Sequence, residues 1–255
     1  MKTLQQDMTT GNPAKTILNF TFPIFIGNVF QQFYNMADTI IVGKFVGTKA
    51  LAAVGSTGTI MFLIIGFVLG FTVLTAQKFG AGDMKAMRQT VGGAAILSGL
   101  VSVVLTILSM AFMKPLLRFM QTPSDIFADA YAYIMIICAG IFAQMLYNLL
   151  ACVLRALGNS KIPLYFLILS AILNIGLDLL LIVGFNLGAA GAAYATVAAQ
   201  GVSGVLCLLY IVKKVPLLRM EKEDWRPRAS LLKMQLGVGF PMALQYSITA
   251  VGTMM

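Results

Sequence analysis

The stretch SAILNIGLDLLLIVGF, residues 170–185, has the length and apolarity of a membrane-spanning helix, yet it contains two polar residues. Asn174 and Asp178 lie four positions apart and therefore share one face of that helix. A carboxylate at the centre of a bilayer costs about 2.5–3.5 kcal/mol on insertion scales, whereas a leucine gains only about 0.3–0.6 kcal/mol. Because several leucines are needed to offset one such residue, we interpret Asp178 as a functional residue.

The whole chain is unusually apolar. Of its 255 residues, 59% are hydrophobic and 11% are charged, whereas soluble domains are about half apolar and about a quarter charged. Uncharged runs long enough to cross the hydrocarbon core recur along the sequence. We therefore predict an all-α polytopic membrane protein with spans at 16–43, 50–77, 89–113, 129–154, 162–185, 189–212 and 232–255.

The positive charges set the topology of these spans. If the N-terminus is cytoplasmic, 14 of the 18 Lys and Arg residues fall on the cytoplasmic side, as the positive-inside rule requires. We therefore predict an integral plasma-membrane protein with a cytoplasmic N-terminus. On this interpretation the net charge of +9 is explained by topology, and no nucleic-acid partner is expected.

The residue types argue against an enzyme. The chain has no His, which excludes a His-containing zinc site and a Ser-His-Asp triad. An intramembrane aspartyl protease also needs two membrane carboxylates, but its Tyr-Asp and Gly-x-Gly-Asp signatures are replaced here by MAD and IGLD. We predict neither catalysis nor a cofactor.

A repeat divides the chain into four parts. Lys15, Leu18, Phe22, Pro23 and Met36 match Lys233, Leu236, Phe240, Pro241 and Met254 at one constant offset. Both segments follow a polar stretch and open a span with Phe-Pro, and internal repeats are typical of transporters. We predict a cytoplasmic N-terminus (1–15), a six-helix transmembrane lobe (16–212), a cytoplasmic linker (213–231) and the first helix of a truncated second lobe (232–255).

A second intramembrane carboxylate lies in QQFYNMADTIIVGKFVG, residues 31–47. Gln31, Tyr34, Asn35 and Asp38 are spaced i, i+3, i+4 and i+7, so they lie along one helical face. With a rise of about 1.5 Å per residue, Asp38 lies about 7–8 Å below the outer end of its span.

Two further polar residues reach a similar level. Asp178 and Thr196 both lie about 10 Å below the outer ends of their spans. Three helices thus place oxygen ligands in the outer half of the membrane, which predicts one polar pocket. A carboxylate removed from water favours neutralisation by a proton or a cation, and hard cations such as Na⁺ favour oxygen ligands.

Other interpretations of the same residues remain open at this stage. Asp38 and Asp178 could reach the outer interface by snorkelling, and Asn174 and Thr196 could serve only as hydrogen-bonding groups between helices. Gln31 and Tyr34 could be packing residues. Pro23 is expected to permit a bend in the first span, and the G-x-x-x-G of Gly66 and Gly70 predicts close helix packing.

Four segments together resemble one family. The motifs NMADTIIVGKFVG, AQKFGAGD, LRALGNSKIP and LNIGLDLLLI are similar to those of the multidrug and toxic compound extrusion (MATE) transporters. The resemblance runs through the first six spans and into the seventh. It implies a protein of twelve helices in two six-helix lobes, of which this chain holds the first lobe and a seventh helix.

The family also implies roles for individual residues. Its first-lobe cation site uses a carboxylate on helix one, an Asn-x-x-x-Asp pair on helix five and a hydroxyl on helix six. Asp38, Asn174, Asp178 and Thr196 occupy these positions and would bind H⁺ or Na⁺. Gln31 and Tyr34, and less closely Asn148, match positions that line the substrate cavity. Asn35 shares the face of the first two and is assigned to the cavity with them.

The function implied by the resemblance is secondary active multidrug efflux. The exporter would move cationic or amphipathic compounds outward in exchange for H⁺ or Na⁺, in contact with membrane lipids, and as a monomer when complete. One alternative is a flippase for lipid-linked precursors, whose cavity commonly carries Lys or Arg; none lies mid-span here. Another is a membrane fragment that does not transport.

Overall fold

The structure is an assembly of helices joined by short turns. The computed structural model describes residues 12–45, 58–119 and 124–254, which contain no β-strand. The α-helices are α1 (Pro13–Phe45), α2 (Gly58–Gly80), α3 (Met84–Phe119), α4 (Ser124–Ala139), α5 (Ile141–Ala156), α6 (Lys161–Asp178), α7 (Gly188–Lys214) and α8 (Ala229–Met254). α6 continues as a π-helix over Leu179–Gly184, and the linker contains a 3₁₀-helix, Pro216–Leu218. The predicted all-α fold is confirmed.

Within the described ranges, four helices are long and apolar enough to cross a membrane, by length and composition. They are Phe62–Gly80, Met84–Pro115, Lys161–Gly184 and Gly188–Lys214. A fifth span arises if Phe127–Ala139 and Ile141–Ala156 are counted together, although the pair bends by 47°. α1 and α8, which correspond to the first and last predicted spans, have 33 and 26 residues but are not among these candidates, because their amide residues lower the mean hydropathy.

The predicted fourth span, 129–154, differs from the structure because it is interrupted at Gly140. A Cβ atom at this position would collide with the side chain of Val197 on α7. The backbone of the α4–α5 junction therefore approaches α7 more closely than any other residue type allows, and the helix bends there.

Pro23 does not open the first helix. α1 begins at Pro13, where the side chain of Asn12 accepts a hydrogen bond from the Ala14 backbone N–H (3.0 Å). Pro23 therefore lies buried in the helix interior, where it leaves one backbone carbonyl of the preceding turn without its usual donor. Its predicted role in helix bending stays a prediction.

Two glycines in the left-handed backbone region end helices on the predicted cytoplasmic side. Gly82 (φ 73°) follows α2 and Gly158 (φ 79°) follows α5. In each case the next residue caps the following helix: Asp83 Oδ1 accepts from the Ala86 N–H (3.0 Å), and Asn159 Oδ1 accepts from the Ile162 N–H (3.1 Å). These tight turns hold α3 beside α2 and α6 beside α5.

α7 is the central element of the part of the fold that carries the predicted pocket. Its buried face consists mostly of Ala and Gly, so the neighbouring helices can approach its backbone closely. It packs against α1, α4, α5 and α6, whereas α2 packs against α3, α5 and α8. The predicted polar pocket lies in the first group, between α1, α6 and α7.

Some predicted parts of the chain lie outside the described residues. They are residues 1–11 of the N-terminus, residues 46–57 around the start of the second span, residues 120–123, and Met255.

Candidate cation-binding site

The structure places the two intramembrane carboxylates against each other. Asp38 on α1 is 8% exposed, and Asp178 at the end of α6 is fully buried. Their side chains lie within hydrogen-bonding range of each other. This position at the contact between α1 and α6 differs from that of a snorkelling residue, which keeps its charged group in water.

Both carboxylates have an oxygen atom without a partner. Oδ1 of Asp38 and Oδ1 of Asp178 are buried and accept no hydrogen bond from the described residues. Two carboxylates this close together repel each other strongly in a medium of low dielectric constant. A proton or a cation between the two carboxylates would remove this repulsion.

Asn174 and Thr196 complete the site from two helices. When the Asn174 amide is oriented so that both of its ends are paired, Nδ2 donates to Asp178 Oδ2 (3.0 Å). Oδ1 then accepts from the hydroxyl and the backbone N–H of Thr196, at 3.2 and 3.3 Å. The opposite orientation keeps only the donation from Nδ2 to the Thr196 hydroxyl (3.2 Å). Asn174 therefore links the carboxylate on α6 to the hydroxyl on α7.

Tyr34 and Gln200 extend this network, and Gln200 was missed by the sequence analysis. The half-buried Tyr34 lies within hydrogen-bonding range of the side chains of Thr196 and Gln200 and close to both carboxylates. Oε1 of Gln200 is buried and unpaired among the described residues. The signal was present in the sequence, because Gln200 follows Thr196 by four positions and therefore shares its face of α7.

The backbone changes form directly after Asp178. Leu179–Gly184 is a π-helix, in which the Phe185 N–H donates to the Leu180 carbonyl (3.0 Å). π-Helical turns are rare and occur often at functional sites. Here the wider turn begins immediately after the carboxylate of α6, at a segment that also contacts α1 and α7.

The predicted cavity residues are less closely associated with the pocket. Gln31 and Asn35 lie on the exposed side of α1, and Asn35 Nδ2 donates only to the neighbouring Gln32 Oε1 (3.4 Å). Asn148 is half-buried on α5 and donates to the Gln144 carbonyl of its own helix (2.8 Å). Of the four predicted cavity residues, Tyr34 is the one that the structure brings to the carboxylates.

A family model described as MatE matches residues 23–180 of the chain. The chain belongs to the MatE family. The part that matches the MatE model contains Asp38, Asn174 and Asp178, whereas Thr196 lies beyond it.

Two proteins of Bacillus subtilis are similar to nearly the whole chain. The Probable multidrug resistance protein YpnP of Bacillus subtilis (strain 168) is 34% identical over 255 residues, covering 97% of this chain and 56% of that protein. The Probable multidrug resistance protein YoeA of the same organism is 30% identical over 260 residues, covering 96% and 56%. The chain therefore spans about half the length of the relatives that it matches.

The MatE fold is also seen in a solved structure. A structure described as an outward-facing conformation of a multidrug resistance MATE family transporter of the MOP superfamily superposes with a TM-score of 0.88 at 29% identity. The match covers 96% of this chain and 55% of that one. The predicted arrangement, a partial MATE helical membrane fold, is thereby confirmed.

Proposed function

We propose that this chain acts as a lobe of a secondary active exporter, which moves cationic or amphipathic drugs outward in exchange for H⁺ or Na⁺. The observation that carries the proposal is the contact between Asp38 and Asp178, whose buried Oδ1 atoms have no partner among the described residues. The names of the relatives as multidrug resistance proteins support drugs as the substrate class. The proposal includes the division of the chain into four parts that the sequence predicts. It also includes a monomeric protein in contact with membrane lipids, with its N-terminus in the cytoplasm.

The cation acts through the contact between α1 and α6. Asp38 is on α1, which packs against α6, the π-helical segment and α7, and these elements supply Asp178 and Thr196. A proton or Na⁺ removes the repulsion between the carboxylates and lets α1 lie against α6. Loss of the cation restores the repulsion and favours separation of the two helices. The ion drives transport because it binds the two arrangements with different affinities.

The drug and the coupling cation compete for the same two carboxylates. A cationic drug in a cavity lined by Tyr34, Gln31 and Asn35 is attracted by the two carboxylates as long as they lack a cation. When H⁺ or Na⁺ binds from outside, this attraction is lost and the drug is released. The position of Tyr34, which is close to both carboxylates and on the same helix as the exposed amides, supports this exchange of one positive charge for another.

The test is transport with imposed ion gradients. Membrane vesicles containing the protein encoded by the complete gene are given an inward gradient of H⁺ alone or of Na⁺ alone, and efflux of a fluorescent cationic drug is followed. We expect one gradient to drive efflux and Asp38→Asn to abolish it at unchanged protein levels. Asp129→Asn is the matched control, because Asp129 is an exposed carboxylate on α4. Efflux by Asp38→Asn at the wild-type rate would contradict the proposal.

A flippase for lipid-linked precursors is less well supported. Such a carrier needs basic side chains to hold a pyrophosphate, whereas the side chains that meet at the pocket are two carboxylates, two amides and two hydroxyls. The pocket therefore fits a positive partner.

A further inference from the structure

A single amide joins three helices far from the carboxylate pocket. Gln235 on α8 is fully buried, and its Nε2 donates to the Phe71 carbonyl of α2 (2.9 Å) and to the Thr90 carbonyl of α3 (2.8 Å). Both N–H groups of the side chain are thus used by main-chain acceptors. Its Oε1 atom is buried without a partner among the described residues.

Around this amide, α8 and α2 are in backbone contact. A Cβ atom on Gly66 would lie 2.6 Å from Ala243 Cα, and one on Gly70 would collide with Gly239 Cα. A Cβ atom on Gly93 of α3 would likewise collide with Gln235 Oε1. Only glycine at these positions lets the helices come this close.

The linker is also folded against α3. The Asp224 carboxylate is almost fully buried, and its Oδ2 accepts from Arg88 Nε (3.2 Å) and from the Glu221 backbone N–H (2.9 Å). The Asp224 carbonyl oxygen lies directly against Gly92, where a Cβ atom would collide with it. The linker is therefore held at a defined position by the first turns of α3.

These contacts lie at one end of the bundle. α3 contributes residues 88–93, close to its start at Met84, and α8 contributes Gln235, close to its start at Ala229. In the proposed orientation both helices begin at the cytoplasmic side. α2 and α8 run antiparallel, since Gly70 faces Gly239 and Gly66 faces Ala243, so their contact extends from the cytoplasmic end toward the middle of the membrane.

We propose that Gln235 and the Arg88–Asp224 pair form a cytoplasmic latch, which holds α8 and the linker against α2 and α3 and must release to open the cytoplasmic side. The need for release rests on the proposed export function, because a drug must enter from the cytoplasm before it leaves on the other side. The contacts that form the latch do not depend on the proposed export function.

The chemistry of the latch suits repeated opening. Lipid is as apolar as the helix surfaces, so no hydrophobic effect drives α2 and α8 together, and the contact depends on packing and hydrogen bonds. When the helices part, water can hydrate the unpaired Oε1 of Gln235, which compensates for part of the lost contacts. Asp224 is almost fully buried and Arg88 is partly exposed, and both side chains regain hydration when the linker parts from α3, which offsets part of the lost ion pair.

The latch can be tested without any drug or ion gradient. All native cysteines of the protein, including the buried Cys138, Cys152 and Cys207, are replaced by alanine, and spin labels are attached to Gln77→Cys on α2 and Lys233→Cys on α8. Both positions are exposed, so the labels leave the packing unchanged. Pulsed electron paramagnetic resonance on the full-length protein in lipid nanodiscs then reports the distance between the cytoplasmic ends of α2 and α8.

Two variants release the latch at different points. Gln235→Met has similar volume but loses both hydrogen bonds, and Arg88→Gln loses the ion pair. Each has a matched control: Gln245→Met changes an exposed amide on α8, and Lys85→Gln removes the exposed 3.9 Å ion pair with Glu223. We expect Gln235→Met to raise the ratio of long to short distances about 30-fold, as the loss of two hydrogen bonds predicts. Arg88→Gln should raise this ratio by less, and both controls should match the wild type.

Unchanged distance distributions in Gln235→Met and Arg88→Gln would overturn the latch. If Gln235→Met fails to fold, Arg88→Gln decides alone, since Arg88 is partly exposed near the start of α3. If the distance increases in the variants but the wild-type protein does not transport drugs, the latch is supported and the export function is contradicted. If the distance is unchanged in the variants and the wild-type protein does transport drugs, the latch alone is contradicted.

Discussion

Two buried polar clusters in the described part of the protein differ in charge. The pocket between α1, α6 and α7 contains two carboxylates, and the latch between α2, α3 and α8 is centred on a neutral amide. Each has a buried oxygen without a partner among the described residues: Oδ1 of Asp38 and of Asp178 in the pocket, and Oε1 of Gln235 in the latch.

The difference in charge determines what each cluster responds to. In the proposed mechanism the carboxylates of the pocket take a positive charge from outside the chain, so their state depends on the ions in solution. The donors of Gln235 are already paired with main-chain carbonyls, so this amide of the latch needs no ion from solution. An unpaired buried acceptor costs about 1–3 kcal/mol in each case, but only in the pocket can an ion remove that cost.

Removing the buried charge of the pocket should have the largest effect. Asp178→Asn leaves Asp38 without a partner carboxylate, so a single negative charge remains to attract a cation. We expect the rate of ion-driven drug efflux from vesicles to fall by about 100-fold or more, because the variant loses an interaction that is made only when the cation is bound. Asp129→Asn should match the wild type, and a similar loss in that exposed variant would show that the effect is not specific to the pocket.

Adding a methyl group at the contact between α2 and α8 should lower the free energy of unfolding. Gly70→Ala places a methyl group against the backbone of Gly239, and overpacking of this kind costs about 1–3 kcal/mol. Gly237→Ala on α8 is the control, because a Cβ atom there meets no atom within 4 Å, and it should gain up to about 1 kcal/mol through helix propensity. Thermal unfolding in one detergent compares them, and equal stabilities would contradict the close contact between α2 and α8.

A smaller effect is expected from the hydroxyl of the pocket. Thr196→Val keeps the shape of the side chain but removes the partner of Asn174, whereas Thr196→Ser keeps the hydroxyl. Loss of one hydrogen bond of about 1 kcal/mol corresponds to about a fivefold weaker binding of the coupling cation. Binding of ²²Na⁺, or proton uptake by the purified protein, measures it; equal binding by the Val and Ser variants would exclude the hydroxyl as part of the site.

The smallest effect is expected at Asn148. Its amide donates to a carbonyl of its own helix, and no contact joins it to the carboxylates. Asn148→Ala should therefore change cation binding by less than about 0.5 kcal/mol, measured in the same binding experiment. A large loss of cation affinity would show that Asn148 belongs to the pocket, and it would contradict the separation of Asn148 from the two carboxylates.

The pocket was easier to predict from the sequence than the latch. Carboxylates are rare in membrane spans, so Asp38 and Asp178 stood out, and a uniform rise along each helix placed them at one level. Gly66 and Gly70 predicted close packing, which the contacts with Ala243 and Gly239 confirm. The partner helix was not predicted, because a G-x-x-x-G identifies one surface of a contact and not the other.

The remaining features depend on tertiary contacts. Gln235 resembles any polar residue near the start of a span, and its two acceptors are backbone atoms that carry no sequence signal. The break at Gly140 depends on Val197 of another helix. The π-helix after Asp178 lies in an unremarkable run of leucines, where neither composition nor spacing distinguishes it from an α-helix.

The most direct test is a double-mutant cycle on the two carboxylates. Cation affinity is measured by ²²Na⁺ binding and by proton release for the wild type, Asp38→Asn, Asp178→Asn and the double variant. If both acids hold one shared cation, each single variant should lose nearly as much affinity as the double variant, so the losses are far from additive. Losses that add, as for two acids that bind ions independently, would contradict the shared site.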